Sequence, residues 1–165
     1  MMNLFKHYFG EYVDANINLC LGKGIIESIT IKRKDREVSI SLSLDKLVSY
    51  SQIEMAEICI KEKMELKKFQ INPHYSKELF SPDYFPSIIE FVNRKKSIAK
   101  IFFDDADVSL NSDELNILLK KGGLKFLENQ HINTDIKNTV LEMFDMTINV
   151  SMAESDTHYV DDKEN

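Results

Sequence analysis

The sequence is short of the residues that organise small metal-bound or cross-linked folds. It has two cysteines, Cys20 and Cys59, and neither stands at a metal-ligand spacing from another ligand. They read as packed thiols in a reducing compartment, since free cysteine behaves as a small buried hydrophobe. No apolar run approaches the roughly 20 residues of a membrane span, and the N-terminus has no signal-peptide pattern. The expectation is a cytoplasmic chain with no membrane contact. A nucleophile elbow, a dinucleotide fingerprint and a zinc-ligand pair are missing. Gly22-Lys23-Gly24 lacks the Lys-Ser/Thr of a phosphate loop and reads as a turn.

Catalytic groups are equally sparse. His7, His74, His131 and His158 are scattered, with no helix-spaced acidic or cysteine partner, and read as surface residues. Asp104, Asp105 and Asp107 form a local carboxylate cluster. It could hold a divalent ion if other oxygen ligands converged on it, but a solvated helix end or turn explains it more simply. No catalytic residue, metal site or cofactor is expected within this chain.

What is present is an ordinary globular balance, 43% hydrophobic and 29% charged over 165 residues, enough for one generous domain or two small ones. Net charge is −6. Five of the acids and one lysine fall in residues 152–165, leaving 20 basic and 22 acidic residues before them. A body so nearly neutral binds nucleic acid only if its cations cluster.

Residues 24–44, GIIESITIKRKDREVSISLSL, read as a β-hairpin. Ile25, Ile29 and Ile31 alternate with Ser28, Thr30 and Lys32, and Val38, Ile40, Leu42 and Leu44 alternate with Ser39, Ser41 and Ser43. One face is therefore expected to be buried and the other lined with hydroxyls. Before it, Phe5, Tyr8, Phe9 and Tyr12 predict an amphipathic helix from Met2 to Tyr12. After it, Ser51 and Glu54 suggest a capping box for a helix burying Ile53, Ala56, Ile60 and Met64, followed by a strand over 66–71 that Pro73 breaks.

A boundary is placed at 75/76, where Pro73, Pro82 and Pro86 bracket a change of register. Phe85, Ile88, Ile89 and Val92 then predict a helix. Residues 97–105 suit a helix capped by Ser97, although IAKIFF equally suits a buried strand. A second hairpin is expected over 108–110 and 114–119, with Leu115, Ile117 and Leu119 inward. Gly122-Gly123 opens a helix, Asn133 or Thr134 caps another, and 146–150 closes as a strand. The fold class is α+β in two small domains, 1–75 as αββαβ and 76–152 as ααββααβ, with 153–165 an acidic disordered tail or linker.

Cations gather at Lys32, Arg33, Lys34 and Arg36, at Lys61, Lys63, Lys67 and Lys68, at Arg94, Lys95 and Lys96, and at Lys120, Lys121 and Lys125. Helix C-termini attract cations through their dipole, which explains the second and third groups without a ligand, and a charged hairpin tip is the ordinary way of keeping a turn soluble. The functional alternative is single-stranded nucleic-acid binding by Lys32, Arg33, Lys34, Arg36, Lys120, Lys121 and Lys125. Base stacking on the first hairpin is disfavoured, because serine and threonine stand where aromatics would be needed.

The stretches GIIESITIKRKDREVSISLSLDKLVSY, ELNILLKKGGLKFL and VLEMFDMTINVSMAE, in this order, resemble the N-terminal region of the PolC-type replicative DNA polymerase III α subunit of low-GC Gram-positive bacteria. The likeness is one of pattern and covers nearly the whole chain. It implies a first domain similar to the C-terminal domain of the clamp-loader τ subunit and a second that is KH-like of the bacterial type. It further implies docking of replisome proteins in DNA replication, with DNA as a further partner, by a non-catalytic piece of a DNA-directed DNA polymerase with 3′–5′ exonuclease activity. The divalent metal ions of such an enzyme would belong to parts beyond this chain, reached through the acidic tail and an OB module. One departure bears on nucleic acid. The turn expected between the two helices of the KH-like part, residues 129–133, is NQHIN and lacks the GxxG loop that clamps a backbone.

Overall fold

The computed structural model describes residues 2–155, a mixed α+β chain that divides into two compact units between Leu79 and Phe80. Each unit is built on a three-stranded sheet. In the first, β1 (Ile25–Lys32) and β2 (Glu37–Leu44) form the expected hairpin, and β3 (Lys68–Tyr75) adds parallel to β2. In the second, β4 (Asp107–Asn111) and β5 (Glu114–Leu119) form a hairpin and β6 (Asn149–Glu154) adds parallel to β5. A parallel third strand has to be reached by a crossover. Helix α3 (Tyr50–Lys63) makes it in the first unit, and α5 (Leu124–Asn129) with α6 (Ile132–Phe144) in the second. Among the described residues no helix is long and apolar enough to cross a membrane.

In the first unit the N-terminal helix is shorter than its aromatic spacing suggests. Helix α1 spans Phe5–Phe9 and a 3-10 turn covers Gly10–Tyr12; Phe5 and Phe9 are buried while Tyr8 is exposed. A further helix, α2 (Ala15–Leu21), was not expected. Asp14 caps it by accepting the Ile17 N–H at 2.9 Å. Helix α3 begins earlier than Ser51, because Ser49 is the cap and accepts from Gln52 N. Ile53, Ala56 and Ile60 are fully buried, whereas Met64 sits past the last turn and is partly exposed.

The apolar face of the sheet carries Ile40, Leu42 and Leu44 beside Ile71, Pro73 and Tyr75 in register. Each fully buried aliphatic here is worth roughly 1.5–3 kcal/mol. Strand β3 continues through Pro73 instead of breaking, since an edge strand tolerates a residue with no N–H. The larger correction concerns β1. A bulge between Ile26 and Ser28 shifts the alternation, so Ile26 is buried and Ile25 only half-buried. Ile29 and Ile31 pair with Ile40 and Val38 and share their face, yet they are 42% and 59% exposed. The cause is topology: β1 is an edge, and α3 packs against β3 at the opposite edge.

In the second unit α4 (Phe85–Lys95) carries Pro86 in its first turn and buries Phe85, Ile88, Ile89, Phe91 and Val92. Residues 97–105 form neither the long helix nor the strand; a 3-10 turn over Lys100–Phe103 buries Phe103 and exposes Ile101. Leu115, Ile117 and Leu119 are buried as expected. Gly123 has φ 90°, and a Cβ there would lie 2.4 Å from the Phe102 ring, so both the backbone and the space require glycine. Helix α6 starts at Ile132 behind His131, which takes a left-handed φ of 59°, and not behind a polar cap at Asn133 or Thr134. Strand β6 lies later than 146–150. It takes in Ala153 and Glu154 from the expected tail, and Glu154 accepts from Leu124 N at 3.0 Å, placing an acid at the start of α5. Ser155 N donates to the Leu119 carbonyl at 2.8 Å, and residues 156–165 of the expected tail lie outside the described residues.

Candidate functional site

Among the described residues, a dense group of charges stands at the end of the first unit where the hairpin turns. Because β2 and β3 run parallel, with Glu37 level with Lys68, the loop leaving α3 arrives beside the β1–β2 turn. The two turns are tied together at Arg36. Its carbonyl accepts from Lys67 N at 2.8 Å and Lys68 N at 3.4 Å, and its guanidinium donates to the Glu65 carbonyl. Arg36 and Glu65 both adopt left-handed backbone, φ 54° and 56°, which makes the two tight reversals.

Two cation groups that are far apart in sequence thereby meet. Lys32, Arg33, Lys34 and Arg36 lie at one end of the sheet with Lys61, Lys63, Lys67 and Lys68, against the acids Asp35, Glu37, Glu62 and Glu65. All eight cations are exposed, and among the described residues none forms an ion pair. The α3 dipole accounts for Lys61 and Lys63; the concentration at the tip is a property of the topology. Beside it a shallow depression of about 180 Å³ is lined by Thr30, Lys32, Glu37, Val38, Ser39, Lys68 and Gln70.

That depression belongs to the polar face of the sheet. The register places Ser28 and Thr30 of β1, Ser39, Ser41 and Ser43 of β2, and Gln70, Asn72 and His74 of β3 on one side. Gln70 donates to Asn72 at 2.8 Å, and His74 Nδ1 meets Glu27 of the bulge at 2.7 Å. The outer edge of β1 is partly used by the chain itself. Asn3 accepts from Ile26 N at 2.8 Å and Leu4 bridges to Ile25. Among the described residues, no strand pairs with that edge beyond Ile26.

The seven cations proposed from sequence divide between the units. Lys32, Arg33, Lys34 and Arg36 are brought together in the first. Lys120 pairs with Asp107 at 3.1 Å and Lys121 with Asp104 at 3.7 Å, while Lys125 is exposed in the first turn of α5. These pairs also give Asp104 and Asp107 a role, and among the described residues no group of three His, Cys, Asp or Glu is placed to hold a metal. The basic end of α4 is paired as well: Lys95 with Glu142, and Lys96 with Asp135 at 2.6 Å. A cleft of about 640 Å³ in the second unit is lined by Phe85, Pro86 and Ile89 of α4 and by Phe103 to Val108, with Asp83 and Glu90 adding to the acids of that segment. The thiols are free and half-buried, and Gln52 Nε2 donates to Cys20 Sγ at 3.1 Å. No protein-family model, no curated protein and no solved structure matches the chain.

Proposed function

We propose that the chain is a non-catalytic docking region of a replicative DNA polymerase III of the PolC type, binding replisome proteins during DNA replication mainly through its first unit. In this reading the first unit is similar to the C-terminal domain of clamp-loader τ and the second is KH-like. Support comes from the sequence resemblance and from the element order α, β, β, α, α, β of the second unit. The observation that carries docking is the open edge of β1, with Ile29 and Ile31 exposed where a buried face was expected. Exposed isoleucines on an unpaired edge strand are a protein-binding feature. The turn between α5 and α6, Gln130-His131, offers no glycine loop to a nucleic-acid backbone. The test is capture of purified replisome proteins of this polymerase class by the immobilised chain. Retention of at least one supports the reading, and failure to retain any counts against it.

A second reading, single-stranded nucleic-acid binding, is favoured by the unpaired cations of the first unit. It predicts oligothymidylate affinity that falls steeply with salt and is lost on Lys32→Glu with Lys34→Glu. Undetectable binding at low salt eliminates it.

A further inference from the structure

Proteins blunt edge strands with proline, charge or a covering element. The β3 edge has two such devices, Pro73 within the strand and the Glu57 carboxylate on Ile71 N. Strand β1 is treated differently. Its near end is covered by Asn3 and Leu4 and it bulges at Glu27, but from Ser28 to Lys32 it is regularly paired on its inner side only. There Ile29 and Ile31 stand exposed on one face, Ser28 and Thr30 stand on the other, and the strand runs out into Lys32-Arg33-Lys34.

We infer that this edge accepts an extended acidic segment of a partner protein as an added strand. Alternate apolar side chains of the segment lie beside Ile29 and Ile31, and its carboxylates lie on Lys32 and Lys34. Backbone pairing supplies affinity and the alternating seats supply specificity. Charge complementarity selects the occupant, because the cations next to these seats have no acid paired with them among the described residues. A second copy of the chain fits poorly. Paired parallel, it would set two basic tips side by side; paired antiparallel, it would drive its tip towards the edge already held by Asn3 and Leu4. Single-stranded nucleic acid brings phosphates for the tip but no amide ladder for the edge. The inference rests on the docking reading only in placing a protein partner on the first unit.

The test uses the full chain and fluorescein-labelled peptides of about ten residues that alternate valine and threonine, with aspartates at either the N- or the C-terminal end. One of the two orientations is expected to bind, moving the amide resonances of Ser28 to Lys32. Affinity should fall at least roughly tenfold in Ile29→Thr/Ile31→Thr, and again in Lys32→Glu/Lys34→Glu, as expected for loss of apolar seats and of charge steering. All four positions are exposed, so an unchanged circular dichroism spectrum separates lost binding from lost fold. Equal binding of a peptide with lysines in place of the aspartates overturns the inference. So does unchanged affinity in the isoleucine variant, displacement of the peptide by oligothymidylate with the same isoleucine dependence, or a concentration-dependent dimer abolished by the isoleucine variant. Replisome capture separates the two levels. Capture that survives Ile29→Thr/Ile31→Thr leaves docking in place and removes this edge as its site, while peptide binding without capture does the reverse.

Discussion

Glu57 on α3 accepts the backbone N–H of Ile71 on β3 at 2.7 Å, so the crossover helix closes the outer edge of the strand it leads to. A carboxylate acceptor makes this bond roughly twice as strong as a neutral one. Glu57→Ala removes the acceptor at a part-buried position and is expected to cost about 1–3 kcal/mol. The urea midpoint should fall with the slope unchanged, and Glu57→Gln, which keeps an oxygen in reach, should lose less. A cost for Glu57→Ala within the ±0.5 kcal/mol or so of a surface substitution would mean the contact does not stabilise the edge.

A second side chain fixes the other end of the crossover. The buried Tyr75 hydroxyl accepts from Val48 N at 3.1 Å and donates to Val48 O at 3.3 Å, joining the end of β3 to the segment before α3. Tyr75→Phe keeps the ring and removes both bonds. The expected loss is about 1–3 kcal/mol, accompanied by faster hydrogen exchange at the Val48 amide. Slow exchange retained in the variant would count against the hydroxyl as the cause.

Gly123 is expected to be the least replaceable glycine of the second unit. Alanine there meets a left-handed φ of 90° and the Phe102 ring at once, and each penalty is of order 1–2 kcal/mol. The two can be separated by a double-mutant cycle. Phe102→Ala should relieve the steric part of Gly123→Ala but leave the backbone part, so the combined loss should be smaller than the sum. Strict additivity would show that the ring yields freely.

The hairpins, the crossover helices and the inward residues of β5 were legible in the sequence because period-2 and helical spacing survive wherever an element is covered along its whole length. Residues 25–31 show what that signal omits. Alternation reports which face a residue shares, not whether anything lies on that face, and the bulge at Glu27 changes the phase without changing composition. Helix α2 escaped because only Ile17 and Leu21 of its seven residues are buried, too few to set a period. The pairing of Lys120 and Lys121 with Asp107 and Asp104 depends on β4 lying beside β5, which spacing alone does not give. The meeting of Lys32–Arg36 with Lys61–Lys68 did have a readable source. Once β3 is taken as parallel to β2, its first residue must begin where β2 begins, at the hairpin tip.

The contrast within β1 and β2 can be measured directly. Ile29 and Ile40 are opposite each other in the ladder and share one face, yet Ile40 is 1% exposed and Ile29 is 42% exposed. Ile40→Ala opens a cavity in the core of the first unit and is expected to cost about 2–5 kcal/mol. Ile29→Thr keeps β-propensity at an edge position, and its cost should stay within about 0.5 kcal/mol. A loss for Ile29→Thr comparable to that for Ile40→Ala would place Ile29 in the core after all. If the small loss is observed, folding does not account for an exposed isoleucine at position 29 on a strand that runs into three cations, and a partner strand on that edge becomes the economical reason for it.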